Sequence, residues 1–252
     1  MNPKFFEDLI AGLPDGEVRD VRIGLHWTAV VAWVEGELRC GLASTQKPGG
    51  HSHDEPNVPQ AGDLQGCSGR ELVDLFYSDQ PVLTSVGMAA LNALLPRTPE
   101  KWIDANAEET LAQRGRGRQV ALIGHFPFVP RLREKVGELT VLELDPREGD
   151  MPAEAAAQVL PKVDIVAITS MTLVNRTLPD LLKFCSAQAF VMLLGPTTPL
   201  SPRLFEHGID WLSGSVVTEI EPVLRVVSQG GNFRQVHRAG VRLVNLKRED
   251  FE

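Results

Sequence analysis

The chain has 252 residues, of which 43% are hydrophobic and 23% charged, and its formal net charge is −8. This composition is typical of a soluble globular protein with one large or two small domains. The excess of negative charge disfavours broad binding to a phosphate backbone, so we expect no nucleic-acid partner. The apolar runs are too short to span a bilayer, and the N-terminus lacks the pattern of a signal peptide. We therefore expect a cytoplasmic protein with no membrane partner.

The three cysteines form no CxxC pair and do not indicate a disulfide framework. Cys40 ends a strand pattern and Cys185 lies in a helix pattern, so both are predicted to be small core residues. Cys67 lies in a Gly/Ser-rich turn and is predicted to be the accessible thiol.

The first hundred residues predict a small sheet followed by helices. An amphipathic helix is expected first, and three β-rich runs then indicate an antiparallel sheet. The expected strands cover residues 18–25, 28–34 and 37–42, and the expected helices cover residues 3–13, 69–77 and 81–95. Asn92 is unusual in the last of these helices, which is apolar and rich in small residues. It is either a satisfied core amide or a side chain that points into a cleft.

From about residue 100 the chain alternates between strand and helix patterns, which is typical of an α/β domain with a mainly parallel sheet. The expected strands cover residues 120–123, 139–144, 163–169, 189–194, 209–213, 223–227 and 241–246. The sequence therefore predicts two domains of the α/β class, a small α+β domain at 1–99 and an alternating α/β domain at 100–252.

The first strand of the second domain ends in the stretch VALIGHFPFVP, residues 120–130. Ligands of such folds bind beyond the carboxyl ends of the strands, so this turn predicts where a site lies. Gly124 is its only glycine, whereas a GxGxxG fingerprint needs three, and this disfavours NAD(P) and FAD. His125 is predicted to lie at the mouth of a cleft, as an acid/base group or a metal ligand.

Glu143 and Asp145 end the second strand, about twenty residues after Gly124. An acid at this position can hold the hydroxyls of a ribose. The alternative is an ordinary solvated acid at a strand end, and the sequence leaves both interpretations open.

The third and fourth strands end in residues rich in hydroxyl and amide groups. Thr169, Thr172 and Asn175 follow the third strand, and Thr197 follows the fourth. Such side chains can build the turn itself, with Thr177 as a helix N-cap, or can orient a ligand. All these strand ends are expected to line one edge of the sheet.

His51 and His53 belong to the run HSHDE in a long polar loop. Imidazoles and carboxylates at this spacing can bind a borderline metal ion. The other interpretation is a solvated loop with incidental histidines, because a mobile loop loses entropy when it orders around a metal.

Five stretches together resemble the DUF364 family, which is named for putative heavy-metal chelation. They are GLAST (41–45), SVGMAALNALL (85–95), IGHFP (123–127), ITSMTLVNRT (168–177) and LLGPTTPLSP (193–202). The resemblance implies an enolase N-terminal-like domain, then a Rossmann-like domain, with an active site between them. Ser170 and Arg176 stand where the family has glycine, and Arg176 is expected to narrow the site or contact an anion.

The first functional hypothesis is a cleft between the two domains that binds a small molecule, a divalent metal or a metal chelate. Its residues would be Thr45, Asn92, Gly124, His125, Thr169, Thr172, Asn175 and Thr197. The second is an enzyme that acts on a nucleoside-like substrate or uses S-adenosylmethionine. The third is a non-catalytic interaction module in which the helix at 81–95 packs against a partner. A homodimer is expected, since most soluble oligomers have two-fold symmetry.

Overall fold

The computed structural model describes residues 3–47 and 56–251. In the N-terminal part, residues 1–99, an antiparallel sheet of strand order β1-β2-β3 carries helices on one face. Its elements are α1 (Pro3–Ile10), β1 (Glu17–Ile23), β2 (Trp27–Val34), β3 (Glu37–Ser44), α2 (Gly69–Asp74) and α3 (Pro81–Leu94). The sheet and helices expected from the sequence are therefore present.

The C-terminal part, residues 100–252, contains a seven-stranded sheet with helices around it. Its helices are α4 (Ala107–Arg114), α5 (Val129–Arg133), α6 (Ala156–Val159), α7 (Met171–Val174), α8 (Leu178–Phe184), α9 (Ile220–Ser228) and α10 (Phe233–Gly240). Its strands are β4 (Gln119–Ile123), β5 (Glu138–Glu143), β6 (Met151–Pro152), β7 (Ile165–Thr169), β8 (Phe190–Leu194), β9 (Trp211–Val217) and β10 (Val241–Lys247).

The strand order β10-β9-β8-β7-β4-β5-β6 is that of a doubly wound sheet. Only β10 is antiparallel to its neighbour. From β4 the chain continues to β5 on one side and then crosses to β7 on the other. This reversal creates a topological switch point between β4 and β7, where ligands bind in folds of this class.

α3 is buried inside the protein by β2, β3 and α2. The small residues of α3 let β3 approach closely, and a Cβ on Gly41 would lie 2.1 Å from the carbonyl oxygen of Ala89. The helix therefore packs within its own chain. Its apolar face is not available to a partner subunit, contrary to the third hypothesis.

Several elements of the C-terminal part differ from the sequence predictions. Residues 223–227, expected as a strand, belong to α9, which buries Val223, Leu224 and Val227. The sequence predicts a helix over residues 131–136, whereas α5 covers Val129–Arg133. It also predicts a helix over residues 152–160, where the structure has the short strand β6 and the four-residue α6.

Both parts contribute to one apolar core. Its buried residues include Leu9 and Leu91 from the N-terminal part and Ile168 and Leu193 from the C-terminal part. The division of the chain at residue 99 stays a prediction. Across residues 3–47 and 56–251, no helix has the length and apolar character needed to cross a bilayer.

Candidate functional site

A cavity of about 470 Å³ lies beyond the carboxyl ends of β4, β5 and β7, next to the switch point. We call it the strand-end cavity. This volume falls within the range of about 300–1,000 Å³ typical of small-molecule sites. The lining is apolar with several polar groups, and its residues are Ile123, Gly124, His125, Phe126, Leu142, Glu143, Leu144, Ala153, Glu154, Ala156, Thr169, Met171, Thr172, Asn175, Thr177 and Leu181. The cavity is thus built by the C-terminal part, and not between the two parts as expected.

Gly124 lets the chain turn directly from β4 into the rim of the cavity. Its φ is +98°, a conformation that L side chains rarely adopt. A Cβ at this position would also lie 3.0 Å from Thr169 Cβ, at the end of the neighbouring β7. Glycine is therefore required both by the turn and by the close approach of the two strand ends.

His125 is held in place by a carboxylate that the sequence did not indicate. Its Nδ1 lies 2.8 Å from Oδ2 of Asp150, whose side chain is only 1% exposed. The same oxygen accepts a hydrogen bond from the Arg147 backbone amide. Burial raises the pKa of Asp150, but the hydrogen bonds from His125 and Arg147 outweigh it, so this pKa is lowered. The ionised carboxylate orients the imidazole and leaves Nε2 as the nitrogen available to a ligand.

Glu143 joins the two turns that follow β4 and β5. One carboxylate oxygen accepts the His125 backbone N–H at 2.8 Å, and the other accepts the Leu144 N–H at 2.7 Å. Both oxygens are engaged, but each keeps a second lone pair. Glu143 therefore builds the rim of the cavity and still lines it, whereas Asp145 is exposed and outside the lining.

The turn after β7 supplies most of the polar wall. Thr172 donates its hydroxyl to the Thr169 carbonyl at 2.7 Å, so this hydroxyl stabilises α7. Asn175 Oδ1 accepts from the Thr177 hydroxyl at 2.7 Å. The Thr177 side chain therefore makes no N-cap hydrogen bond to α8, contrary to the prediction. The Asn175 amide nitrogen has no such bond among the described residues and can donate to a ligand.

Ser170 and Arg176, the two positions at which the resemblance implies glycine, have different backbone conformations. Ser170 has an ordinary helical φ of −63°, so its backbone does not require glycine. Arg176 has a φ of +64°, which favours glycine. Its guanidinium turns away from the cavity and donates to the carbonyls of Phe76 and Ser78 in the N-terminal part. Arg176 therefore joins the two parts, and it neither narrows the cavity nor faces an anion there.

Three predicted site residues lie at a second place, where β3 and α3 meet the loop after β8. We call this contact the junction. Asn92 donates to the carbonyls of Leu42 at 2.9 Å and of Thr197 at 3.0 Å. The Thr197 hydroxyl accepts the Ser44 backbone N–H at 3.0 Å, and the Thr45 hydroxyl lies 2.9 Å from that of Thr28. Asn92 and Thr197 therefore link the two parts, whereas Thr45 bonds within the N-terminal part, and none of the three lines the strand-end cavity.

No group of three or more His, Cys, Asp or Glu side chains that could hold a metal ion exists within residues 3–47 and 56–251. Among the residues that the structure describes, His125 is the only one that brings an imidazole to the cavity lining. His51 and His53 lie outside the described residues, so their proposed metal role stays a prediction.

The sequence did not point to Asp150 because it lies in a polar turn seven residues beyond the end of β5. Phe126 stands where a GxGxxG fingerprint would have its second glycine. It lines both the strand-end cavity and a second cavity of about 610 Å³, which also borders the end of β8 and the middle of β9. The bulky side chain of Phe126, directly after His125, is the sequence feature that could have indicated this cavity wall.

Comparison with known proteins gives relatives without an established reaction. The family model DUF364, described as "Putative heavy-metal chelation", matches residues 106–245. A second model, DUF4213, with the same description, matches residues 6–95. An uncharacterised protein of Methanocaldococcus jannaschii is 25% identical over 222 residues, which cover 83% of this chain and 82% of the relative.

Two solved structures, both titled as DUF364 proteins with unknown function, have similar folds. The one from Desulfitobacterium hafniense has a TM-score of 0.82 and 30% identity, covering 97% of this chain and 98% of that one. The one from Pyrococcus horikoshii has a TM-score of 0.75 and 24% identity, covering 97% of both chains, and this likeness concerns the fold alone.

Proposed function

The chain belongs to the DUF364 family, and from this premise we propose that it binds a small organic molecule, as a metal chelate, in the strand-end cavity. The supporting observation is the pairing of His125 with buried Asp150 at the cavity rim. A carboxylate that holds Nδ1 is the usual partner of a metal-ligating histidine, and it fixes Nε2 as the donor. The same pairing suits a general base, so one nitrogen can serve either as a ligand or in proton transfer.

The metal is proposed to enter as a chelate because the described part of the cavity offers one imidazole and no ligand cluster. Protein sites for zinc and related metals use three or four protein ligands. A single histidine can complete the coordination of a metal whose other positions are filled by an organic chelator. This accounts for a chelation family whose cavity lacks a full set of protein donors.

The rest of the cavity suits the organic part of such a ligand. Ile123, Leu142 and Met171 provide apolar surface, and Phe126 adds an aromatic ring. Asn175 offers its amide nitrogen at one side. Apolar walls with a few fixed polar groups are the usual composition of a small-molecule site.

Equilibrium dialysis with metal analysis tests the proposal, with nickel–terpyridine as the probe. Terpyridine supplies three nitrogen donors and leaves coordination positions open for a protein ligand. We expect the complex to bind one to one, and more tightly than nickel or terpyridine alone. His125→Ala should weaken binding at least about tenfold, and Asp150→Asn about 10–100-fold, the usual effect of removing the partner of a metal ligand.

His237→Ala is the matched control, because His237 is exposed on α10 and outside the cavity. It should leave the affinity unchanged. Equal affinity in wild type and His125→Ala would remove His125 as the ligand. Free nickel that binds as tightly as the complex, and is lost in a His51→Ala/His53→Ala variant, would assign the metal site to the HSHDE run instead.

A second candidate is a nucleoside-like ligand or S-adenosylmethionine, favoured by the position of Glu143 in the lining at the end of β5. Each carboxylate oxygen keeps a lone pair that could accept from a ribose hydroxyl. A thermal-shift series with adenosine and S-adenosylmethionine at millimolar concentration tests it. A rise in melting temperature that disappears in Glu143→Gln supports this candidate, and no rise removes it.

A further inference from the structure

The second cavity, of about 610 Å³, lies on the opposite face of the seven-stranded sheet from the strand-end cavity. Ile123 and Leu142, which line the strand-end cavity, belong to the core on one face. Leu194, which lines the second cavity, belongs to the core on the other face, and Phe128 packs against it. Ligands of doubly wound folds bind across the crevice where the strand order reverses, so two cavities placed in this way can belong to one site.

Phe126 is the one described residue that lines both cavities. Its ring lies at the end of β4, where its Cε2 atom would be 3.5 Å from a Cβ on Gly124. The same Cβ would also meet Thr169 at the end of β7, so the ring lies at the switch point between these strands. A single side chain therefore separates the two cavities here.

The second cavity offers aromatic and apolar surface to a ligand. The rings of Phe126 and Phe128 stack with their centroids 5.1 Å apart and their planes 18° apart, and Phe233 of α10 also lines the cavity. Offset stacking of this kind can be extended by a further ring. Leu243 of β10 lines the cavity too and is 44% exposed. A flat apolar group bound here would remove this surface from water.

The charged residues of the second cavity disfavour a phosphate or carboxylate. Its described lining contains acidic side chains and no basic one. Asp104 and Glu108 are already paired with basic residues outside the lining, and Glu109 forms no salt bridge within the described residues. An anionic group would find no cationic partner in this lining and would face the carboxylate of Glu109. The cavity therefore suits an uncharged ring.

We propose that the two cavities form one two-lobed site, and that the ligand of the strand-end cavity carries an uncharged aromatic group that occupies the second cavity. This inference rests on the proposed function, because it concerns the same ligand. The metal-binding end of the chelate lies at His125, and its aromatic arm passes Phe126 to lie against Phe128 and Leu243. The ligand class is therefore a chelator with at least one ring beyond those that hold the metal.

Equilibrium dialysis with a series of nickel complexes tests the inference. The reference is nickel–terpyridine, and the test complexes contain terpyridines that carry a phenyl ring on carbon linkers of increasing length. The same linkers ending in a hydroxyl group are the control complexes. At the linker length that spans Phe126, the phenyl complex should bind at least about tenfold more tightly than nickel–terpyridine, the gain expected from burying an aromatic ring. The control complexes should show no such gain.

Two variants locate the phenyl ring. Phe128→Ala should remove most of the gain, and Leu243→Gln should reduce it about threefold, while neither changes the affinity for nickel–terpyridine. Leu243→Gln is expected to fold, because Leu243 is an exposed strand residue. Leu38→Gln is the matched control, because Leu38 is also 44% exposed on a strand and lines neither cavity. It should leave every affinity unchanged.

The outcomes separate this inference from the proposed function. His125→Ala should weaken the binding of all the complexes alike. If nickel–terpyridine binds through His125 but no linker length gives a gain, the two-lobed site is overturned and the proposed function stands. A gain that persists in both Phe128→Ala and Leu243→Gln has the same meaning. If no complex binds, or if binding does not depend on His125, the proposed function fails and this inference fails with it.

Discussion

Replacing Arg176 by glycine tests whether a side-chain contact outweighs backbone strain. The position has a φ of +64°, and the family resemblance implies glycine there. Glycine would remove the cost of the left-handed conformation, about 1–2 kcal/mol. The substitution would also remove the guanidinium that donates to the carbonyls of Phe76 and Ser78.

The hydrogen bonds are expected to dominate. A hydrogen bond from a charged donor contributes about 1.5–3 kcal/mol, so two contribute about 3–6 kcal/mol. Arg176 is only partly buried, which favours the lower end of this range. After subtraction of the relieved strain, Arg176→Gly should lower the free energy of unfolding by about 2 kcal/mol. Arg176→Ala should lower it by about 1 kcal/mol more, because alanine keeps the strained φ.

Urea unfolding followed by tryptophan fluorescence measures both variants. The four tryptophans include Trp27 in the N-terminal part and Trp211 in the C-terminal part, so the signal covers both. The expected order of midpoints is wild type, then Arg176→Gly, then Arg176→Ala. A glycine variant as stable as wild type would refute the reasoning, because strain would then equal or exceed the contribution of the contacts.

Further predictions concern the cavity rim and the thiols. The lowered pKa of Asp150 means that the stabilisation from its hydrogen bonds with His125 and Arg147 is present above about pH 4 and is lost as the pH falls through the folded-state pKa. In chemical unfolding from pH 7 to pH 3, the stability difference between wild type and Asp150→Asn should therefore narrow below about pH 4; a constant difference would contradict this. Gly124→Ala should lower the free energy of unfolding by about 1–3 kcal/mol, because alanine would have to adopt a positive φ and its Cβ would crowd Thr169. An unchanged melting temperature would contradict this conformation of the turn. Burial raises the pKa of Cys40 to about 12, so Cys40 should react with Ellman's reagent only after unfolding. Cys67 is only partly buried, so at pH 8 the native protein should show a fast Ellman reaction that Cys67→Ser removes.

The sequence predicts most of the fold because its apolar patterns match the final burial. In β4, Val120, Ala121 and Leu122 are each at most 1% exposed, as expected for a strand covered on both faces. The valines of residues 223–227 predict a strand, and this prediction is wrong because the residues belong to α9. Val223, Leu224 and Val227 also fit the spacing of one helix face, and a short apolar run does not separate the two.

The sequence predicts the candidate site less completely. Strand-end position was enough to bring Gly124, His125, Glu143, Thr169 and Asn175 to one cavity. It was not enough to separate them from the residues of the junction, whose hydroxyls and amide bond to the neighbouring part. That distinction depends on how the two sheets pack. The pairing of His125 with Asp150 depends likewise on the path of a loop without periodicity.

The most direct test of the central claim is pulsed electron paramagnetic resonance on copper(II)–terpyridine bound to the protein. The proposed coordination predicts modulation from the remote nitrogen of one histidine imidazole in wild type and in His237→Ala. It also predicts that this modulation disappears in His125→Ala. Modulation that persists in His125→Ala, or none in wild type with the complex bound, would contradict the claim that His125 binds the metal of a chelate.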